Sequence, residues 1–298
     1  MDSHAIRQDR RGKGAIRMPR TRTWTLIALL AAILTHASCE DPRDPASRSR
    51  DQSHAYPREL RYETADGWTI HASLSLSTRA QRPLLIDIHM LQADRTYYPV
   101  RPQTLEFCSV LVIDMRGHGD SLSYRGQTRS WESNEGNIYW GSFEDIREGI
   151  RQVERLHGDW IDTGSIFLEG NSYSCVLILQ YFLAAPAGVK GLICMSPGDS
   201  YGQGVAGAFA AVLDAASPVP VYAVCSKGDY YCNGQVALME GAWRARMQGT
   251  LSPSRALQLT RFVMEEGRVH GTHFLYTHPH RYPGALISWM RLVLGEPD

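Results

Sequence analysis

GSIFLEGNSYSCVLILQYF, residues 164–182, carries two structural signals in succession, and a sharp turn must join them. The run SIFLE at 165–169 suits a strand buried on both faces, because its large apolar residues are continuous and do not alternate with polar ones. The run SCVLILQYF at 174–182 is apolar almost all round, which suits a helix enclosed by its neighbours. Between them Gly170, Ser172 and Ser174 put a small residue at every second position. A tight strand-to-helix bend needs that, since backbone there passes close to backbone.

Similar apolar runs recur outward from this point: PLLIDIH (83–89), SVLVIDM (109–115), VKGLICMS (189–196), VPVYAVC (219–225) and LQLTRFVM (257–264). Helix-period segments separate them. FEDIREGIRQVERLH sets Ile146, Ile150, Val153 and Leu156 on one stripe, GQVALMEGAWRARM is another such segment, and PGALISWMRLVL lies near the end of the chain. Upstream, ELRYETADGWTIHASLSLS alternates large and polar residues around Asp66-Gly67, which predicts a β-hairpin. A hairpin followed by strand–helix units predicts one doubly wound α/β domain over residues 56–298. Its central sheet is mostly parallel, with an N-terminal antiparallel hairpin and helices on both faces.

Composition agrees with a globular chain: 298 residues, 43% of them hydrophobic, with 31 basic against 31 acidic side chains. That balance supplies no overall basic field for gathering nucleic acid, so no nucleic-acid partner is expected. The charge is unevenly placed, because residues 1–23 hold seven Arg or Lys against Asp2 and Asp9. Behind them WTLIALLAAILTHA (24–37) is uncharged, too short to span a bilayer as a helix, and followed by small residues and Cys39. Residues 1–38 therefore have the three parts of an export signal. The Ala37-Ser38-Cys39 ending is similar to a bacterial lipoprotein signal, which implies lipidation of Cys39 and a place in the cell envelope. Secretory cleavage to a periplasmic or secreted form and an uncleaved anchor are the alternatives. Residues 39–55 are rich in Pro, Ser and charge and read as a flexible linker. Membrane contact is expected only through this N-terminal part.

Five cysteines remain, Cys108, Cys175, Cys194, Cys225 and Cys232, set in apolar runs like small buried hydrophobes. Cys225 and Cys232 flank a loop and are placed to pair in an oxidising compartment. No C-x-x-C pair or local His-Cys cluster points to zinc, so no metal is expected.

Three segments fit Gly-x-Ser-x-small, around Ser121, Ser172 and Ser200. Only Ser172 stands directly between a buried strand and an apolar helix, as a nucleophile elbow requires. Ser200 follows Pro197 and leads into a glycine-rich loop, and Ser121 lies in a turn with no helix close behind. With the elbow, LLIDIHMLQADR and VLVIDMRGHGDS, the chain from about residue 60 onward resembles the α/β-hydrolases. The second of these segments is similar to the family's Asp-x-Arg-Gly-His-Gly-x-Ser, and the first to its oxyanion strand and loop.

The resemblance implies a serine hydrolase with a Ser, acid, His order along the chain. Asp229, just past a strand, and His270, in His-Gly-Thr, fall where it places the acid and the base. Asp199 and Asp214 remain as alternative acids, and His273 as an alternative base. The oxyanion hole would use the backbone N–H of Tyr173 and one from Met90 or Leu91, with His89 shaping that loop. His71, His118, His278 and His280 are expected at surfaces or turns. Met90 and Ser174 stand where the family keeps glycine, implying either a narrower acyl pocket or lost activity. Only 21 residues separate Pro197 from Pro218, so little or no cap domain is expected, with AGAFAAVLDAA as a short helix over the site. The implied substrate is a small or medium carboxylic ester, cleaved through an acyl-enzyme without a cofactor. Acyl transfer, thioester or peptide cleavage, and a catalytically silent envelope binding protein are the alternatives.

Overall fold

The computed structural model describes residues 57–133, 135–199, 204–277 and 281–297, with the backbone alone at 133 and over 135–140. Cys39, Ser200, His278 and His280 lie outside the described residues. In chain order the elements are β1 (Arg58–Glu63), β2 (Trp68–Ser75), β3 (Arg82–Ile88), α1 (Pro102–Phe107), β4 (Ser109–Asp114), β5 (Ser123–Tyr124), β6 (Gln127–Thr128), α2 (Glu135–His157), β7 (Ile161–Asn171) and α3 (Ser174–Ala184). There follow β8 (Val189–Met195), α4 (Val205–Asp214), β9 (Val221–Ser226), α5 (Tyr230–Gln248), α6 (Arg255–Leu259), β10 (Arg261–Glu265), α7 (His273–Thr277) and α8 (Arg281–Leu294).

Among the described residues one sheet holds ten strands, ordered β10-β9-β8-β7-β3-β4-β2-β5-β6, with β1 paired to β2. The six strands from β10 to β4 run parallel, and β1, β2, β5 and β6 add antiparallel pairings at one side. The β1–β2 hairpin turns at Gly67, whose φ of +100° is a conformation that a side chain would strain. The doubly wound sheet and hairpin are thus those the sequence predicts.

Alternation along each strand feeds two cores. Ile86 and Ile88 of β3 join Val176 and Ile178 of α3, Ile146 of α2 and Phe209 of α4 on one face. Leu85 joins Phe107 of α1, Phe274 of α7 and Trp289 of α8 on the other. Helix α3 is buried over most of its circumference, as its uniform apolarity requires.

Three local expectations are corrected. Leu257 and Leu259 belong to α6, not to a strand, because Ser254 caps a short helix by accepting from the Leu257 N–H, and β10 begins only at Arg261. Leu156 is exposed, in the last turn of α2. Helix α4 forms, but it buries Val205, Phe209 and Val212 in the core and packs on α3 and α5, so it is part of the helical layer. No helix among the described residues is long and apolar enough to cross a membrane.

Candidate active site

Loops following β3, β7, β9 and β10 converge at the carboxyl edge of the parallel sheet, where open α/β sheets leave a crevice. The chain bends from β7 into α3 at Ser172, whose φ of +58° is unusual for a residue with a side chain; Ser196, after β8, has φ +49°. The bend is over-determined. The Ser172 N–H donates to Met195 O at 2.9 Å, and Ser172 O accepts from Cys175 N at 3.1 Å. A Cβ at Gly170 would lie 2.6 Å from Ser174 O and 2.8 Å from Cys175 N, so only glycine lets β7 run this close to the start of α3.

Ser174 does not narrow a pocket. It is fully buried, its Oγ accepts from the Asn171 N–H at 2.6 Å, and Ile88 O and Asn171 O are both 2.9 Å away as acceptors for its proton. Asn171 adds a second tie, donating from Nδ2 to Ile88 O at 3.0 Å and to Asp87 Oδ1 at 2.8 Å. Together they bind the Ser172 bend to the end of β3, from which the His89–Leu91 loop departs.

His89 organises that loop. The Met115 N–H donates to His89 Nε2 at 3.1 Å, which leaves the ring proton on Nδ1, 2.8 Å from Met90 O. Burial holds the imidazole neutral by lowering its pKa to about 4. Met90 O also accepts from the Ala93 N–H at 3.1 Å. Across a trans peptide the Leu91 N–H points opposite to that carbonyl. The Met90 side chain occupies the space above Gly271, where a Cβ would come within 3.1 Å of its sulfur.

Asp229 stands at the N-terminal boundary of α5, shortly after β9, with no capping hydrogen bond from its side chain, and its Oδ2 lies 2.7 Å from His270 Nδ1. A carboxylate only accepts, so Nδ1 carries the proton and Nε2 is left as the free acceptor. Close loop contacts hold the pair together: Gly228 N donates to Gly267 O at 2.8 Å, and Ser226 Oγ donates to Val269 O at 2.7 Å. The Gly271 N–H donates to Ser196 Oγ at 2.9 Å, and Gly271, with φ +54°, sits so that a Cβ would be 3.8 Å from Asn171 Cβ. The His270 loop therefore packs against the Ser172 bend and the Met90 side chain. The thiol of Cys232 lies 3.7 Å from His270 Nδ1. Cys225 and Cys232 are not paired in a disulfide but are free, fully buried thiols. The neighbouring Cys225 thiol, then burial, pushes the Cys232 pKa well up, so it stays a neutral thiol.

The alternatives are engaged elsewhere. Asp199 accepts from the Val205 N–H at 2.8 Å and from Gln235, and Asp214 is ion-paired with Arg246. His273 is exposed on the first turn of α7. Ser121 is fully buried, its Oγ accepting from the His71 N–H at 2.8 Å, so it fastens a turn to β2. In the same segment Arg116 is buried and clamps Asp145 of α2 and Asp66 of the hairpin.

Sequence reasoning missed two features. His118 is in a turn, as expected, but buried, its ring stacked on Trp131 (5.7 Å, 7°) and on Tyr173 (6.3 Å, 18°) and 4.8 Å from His89. Burial, then the neighbouring His89, lowers its pKa to about 3, so it too is neutral. Beneath the bend, Asp87 and Glu169 face each other in register across β3 and β7, both fully buried. Burial pushes the Glu169 carboxyl up to about 8, and burial with the charge of Glu169 pushes Asp87 well up.

No family model and no curated protein matches this chain. Its fold is nonetheless shared with solved structures. An esterase from Pyrococcus furiosus superposes with a TM-score of 0.57 at 11% identity, covering 79% of this chain and 90% of that one. A thermostable carboxyl esterase from Bacillus coagulans gives 0.54 at 14%, covering 80% and 99%. The thioesterase domain from the curacin biosynthetic pathway gives 0.52 at 11%, covering 78% and 98%. The chain has the α/β-hydrolase fold.

Proposed function

We propose that this protein is a serine hydrolase that cleaves small or medium carboxylic esters through an acyl-enzyme on Ser172. The observation that carries the reading is the Asp229–His270 pair, closed at 2.7 Å, on a loop whose Gly271 adjoins Asn171, the residue before a Ser172 held at positive φ. A strained Ser172 and an imidazole already oriented by a carboxylate, carried on adjoining loops, suit a hydroxyl that must be activated.

His270 Nε2 takes the Ser172 Oγ proton as Oγ attacks the ester carbonyl carbon, and the Asp229 carboxylate stabilises the imidazolium. The tetrahedral oxyanion is met by the backbone N–H of Tyr173 and by that of Leu91. Leu91 is chosen over Met90 because His89 and the Ala93 N–H hold the Met90 carbonyl, which turns the next N–H the other way. Collapse breaks the carbonyl–alkoxy bond, and the imidazolium gives its proton to the departing oxygen. Water then attacks the acyl carbon by the same route, releasing the acid and restoring Ser172. The cycle consumes ester and water alone.

A depression lined by Gln92, His118, Gly119 and Trp131 adjoins the His89–Leu91 loop, and small or medium acyl groups are the substrates to test first. A series of p-nitrophenyl esters of rising acyl length tests this. The expected result is a maximum at short or medium chains, with kcat/KM lowered by about 10³ or more in Ser172→Ala. Undiminished hydrolysis by Ser172→Ala would overturn the assignment, and a folded wild type inert to the whole series would favour a binding protein. Matched thioesters in the same series separate ester from thioester preference.

A further inference from the structure

We propose that Asp229, Cys232 and His270 form an inhibitory site for a thiophilic divalent cation of the zinc type. One carboxylate oxygen, one thiol sulfur and one imidazole nitrogen lie within 4.8 Å of one another. The sequence hides this cluster, because Cys232 and His270 are 38 residues apart and meet only when α5 and the loop after β10 pack together.

The donor chemistry is that of zinc. Its bonds to sulfur and nitrogen are about 2.3 and 2.0–2.1 Å, so a tetrahedral edge between the two ligands is about 3.6 Å. Cys232 Sγ and His270 Nδ1 already stand 3.7 Å apart. The Nδ1–Oδ2 distance of 2.7 Å is a hydrogen bond and must widen by about 0.7 Å to a tetrahedral edge of about 3.4 Å, a rotation of the part-exposed imidazole. The mixed sulfur, nitrogen and oxygen set selects zinc or cadmium over magnesium or calcium, which prefer oxygen alone. Water completes the coordination from the open side of His270.

Binding displaces two protons to solvent, one from Sγ and one from Nδ1, and forms metal–sulfur, metal–nitrogen and metal–oxygen bonds. The consequence for catalysis rests on the hydrolase reading. The metal replaces the Asp229–His270 hydrogen bond and pins the ring, so His270 no longer serves Ser172. Cys232 is the residue that turns an ordinary Asp–His pair into a chelate.

Metal binding is measured directly, so it stands or falls apart from esterase activity. Equilibrium dialysis of the full chain against Zn²⁺ is expected to give one tight equivalent in the wild type and in Ser172→Ala. Cys232→Ala and Cys232→Ser should bind at least tenfold more weakly. Loading with Co²⁺ should produce a near-ultraviolet thiolate-to-metal band in Ser172→Ala that is absent from both Cys232 variants. Where hydrolysis is measurable, Zn²⁺ should suppress the wild type reversibly by chelator, and the concentration halving the rate should rise at least tenfold in either Cys232 variant, each referred to its own metal-free rate. No tight equivalent in Ser172→Ala, or equal affinity and an unchanged cobalt spectrum in the folded Cys232 variants, overturns the proposal. Binding as described with no loss of hydrolysis would keep the site and refute its inhibitory role.

Discussion

Glu169→Gln should stabilise the protein, and by more as pH rises. Glu169 and Asp87 are registered opposite each other on adjacent central strands, where neither carboxylate meets a cation. Tyr98 donates to Glu169 Oε2 at 3.3 Å, Asn171 donates to Asp87 Oδ1, and the remaining oxygens, Glu169 Oε1 and Asp87 Oδ2, have no partner. Burial raises the Glu169 pKa from 4.5 to about 8 in the folded chain. An acid whose pKa is raised by folding binds more protons folded than unfolded between those values, so stability is fullest below 4.5 and is lost as pH climbs to 8. At pH 7 the loss is about 2.5 units at 1.36 kcal/mol each, or about 3 kcal/mol, as an upper figure. Glutamine keeps the shape and the Tyr98 contact but has no proton to hold. For a domain of this size the gain corresponds to a rise in Tm of about 6–12 °C at pH 7 and almost none at pH 4.5. Thermal and urea unfolding of wild type and variant at pH 4.5, 6, 7 and 8.5 would measure it. A gap between the two proteins that stays constant with pH would refute the reasoning, and so would a variant less stable than the wild type at pH 8.5.

Gly170→Ala should lose at least about 3 kcal/mol of stability or fail to fold, since its Cβ meets the backbone of α3 below 3.0 Å, which circular dichroism and unfolding would detect. Ser121→Ala removes the acceptor of a buried N–H and should cost about 1–3 kcal/mol while leaving ester hydrolysis within a few-fold of wild type. Cys39→Ala expressed in a bacterial host should abolish incorporation of labelled fatty acid if the envelope reading is right; a wild type that takes up no label would refute it.

Much of the fold was legible because it rests on local pattern. Continuous apolar runs such as SVLVIDM form parallel strands only when covered on both faces, and the small residues around Ser172 are dictated by the bend itself. Leu257 and Leu259 misled because an apolar run of that length serves a helix as well as a strand, and the Ser254 cap decides between them. The α4 segment is expected over the site because it lies between Pro197 and Pro218, where a cap would be inserted, yet Val205, Phe209 and Val212 suffice to bury it in the core. The burial of His118 was not legible because its place in a glycine-rich turn says nothing of the rings that Trp131 and Tyr173 bring to it. Asp87, Glu169 and Asn171 were illegible for a different reason. Their meeting depends on the register of β3 against β7, which no single segment encodes. The same holds for Cys232, whose neighbour His270 arrives from another loop.

Covalent site mapping tests the central claim most directly. Wild type treated with a fluorophosphonate and digested should carry the adduct on the peptide containing Ser172, with labelling lost in Ser172→Ala and kept in Ser200→Ala. An adduct on Ser200 or another serine, or undiminished labelling of Ser172→Ala, would contradict the account.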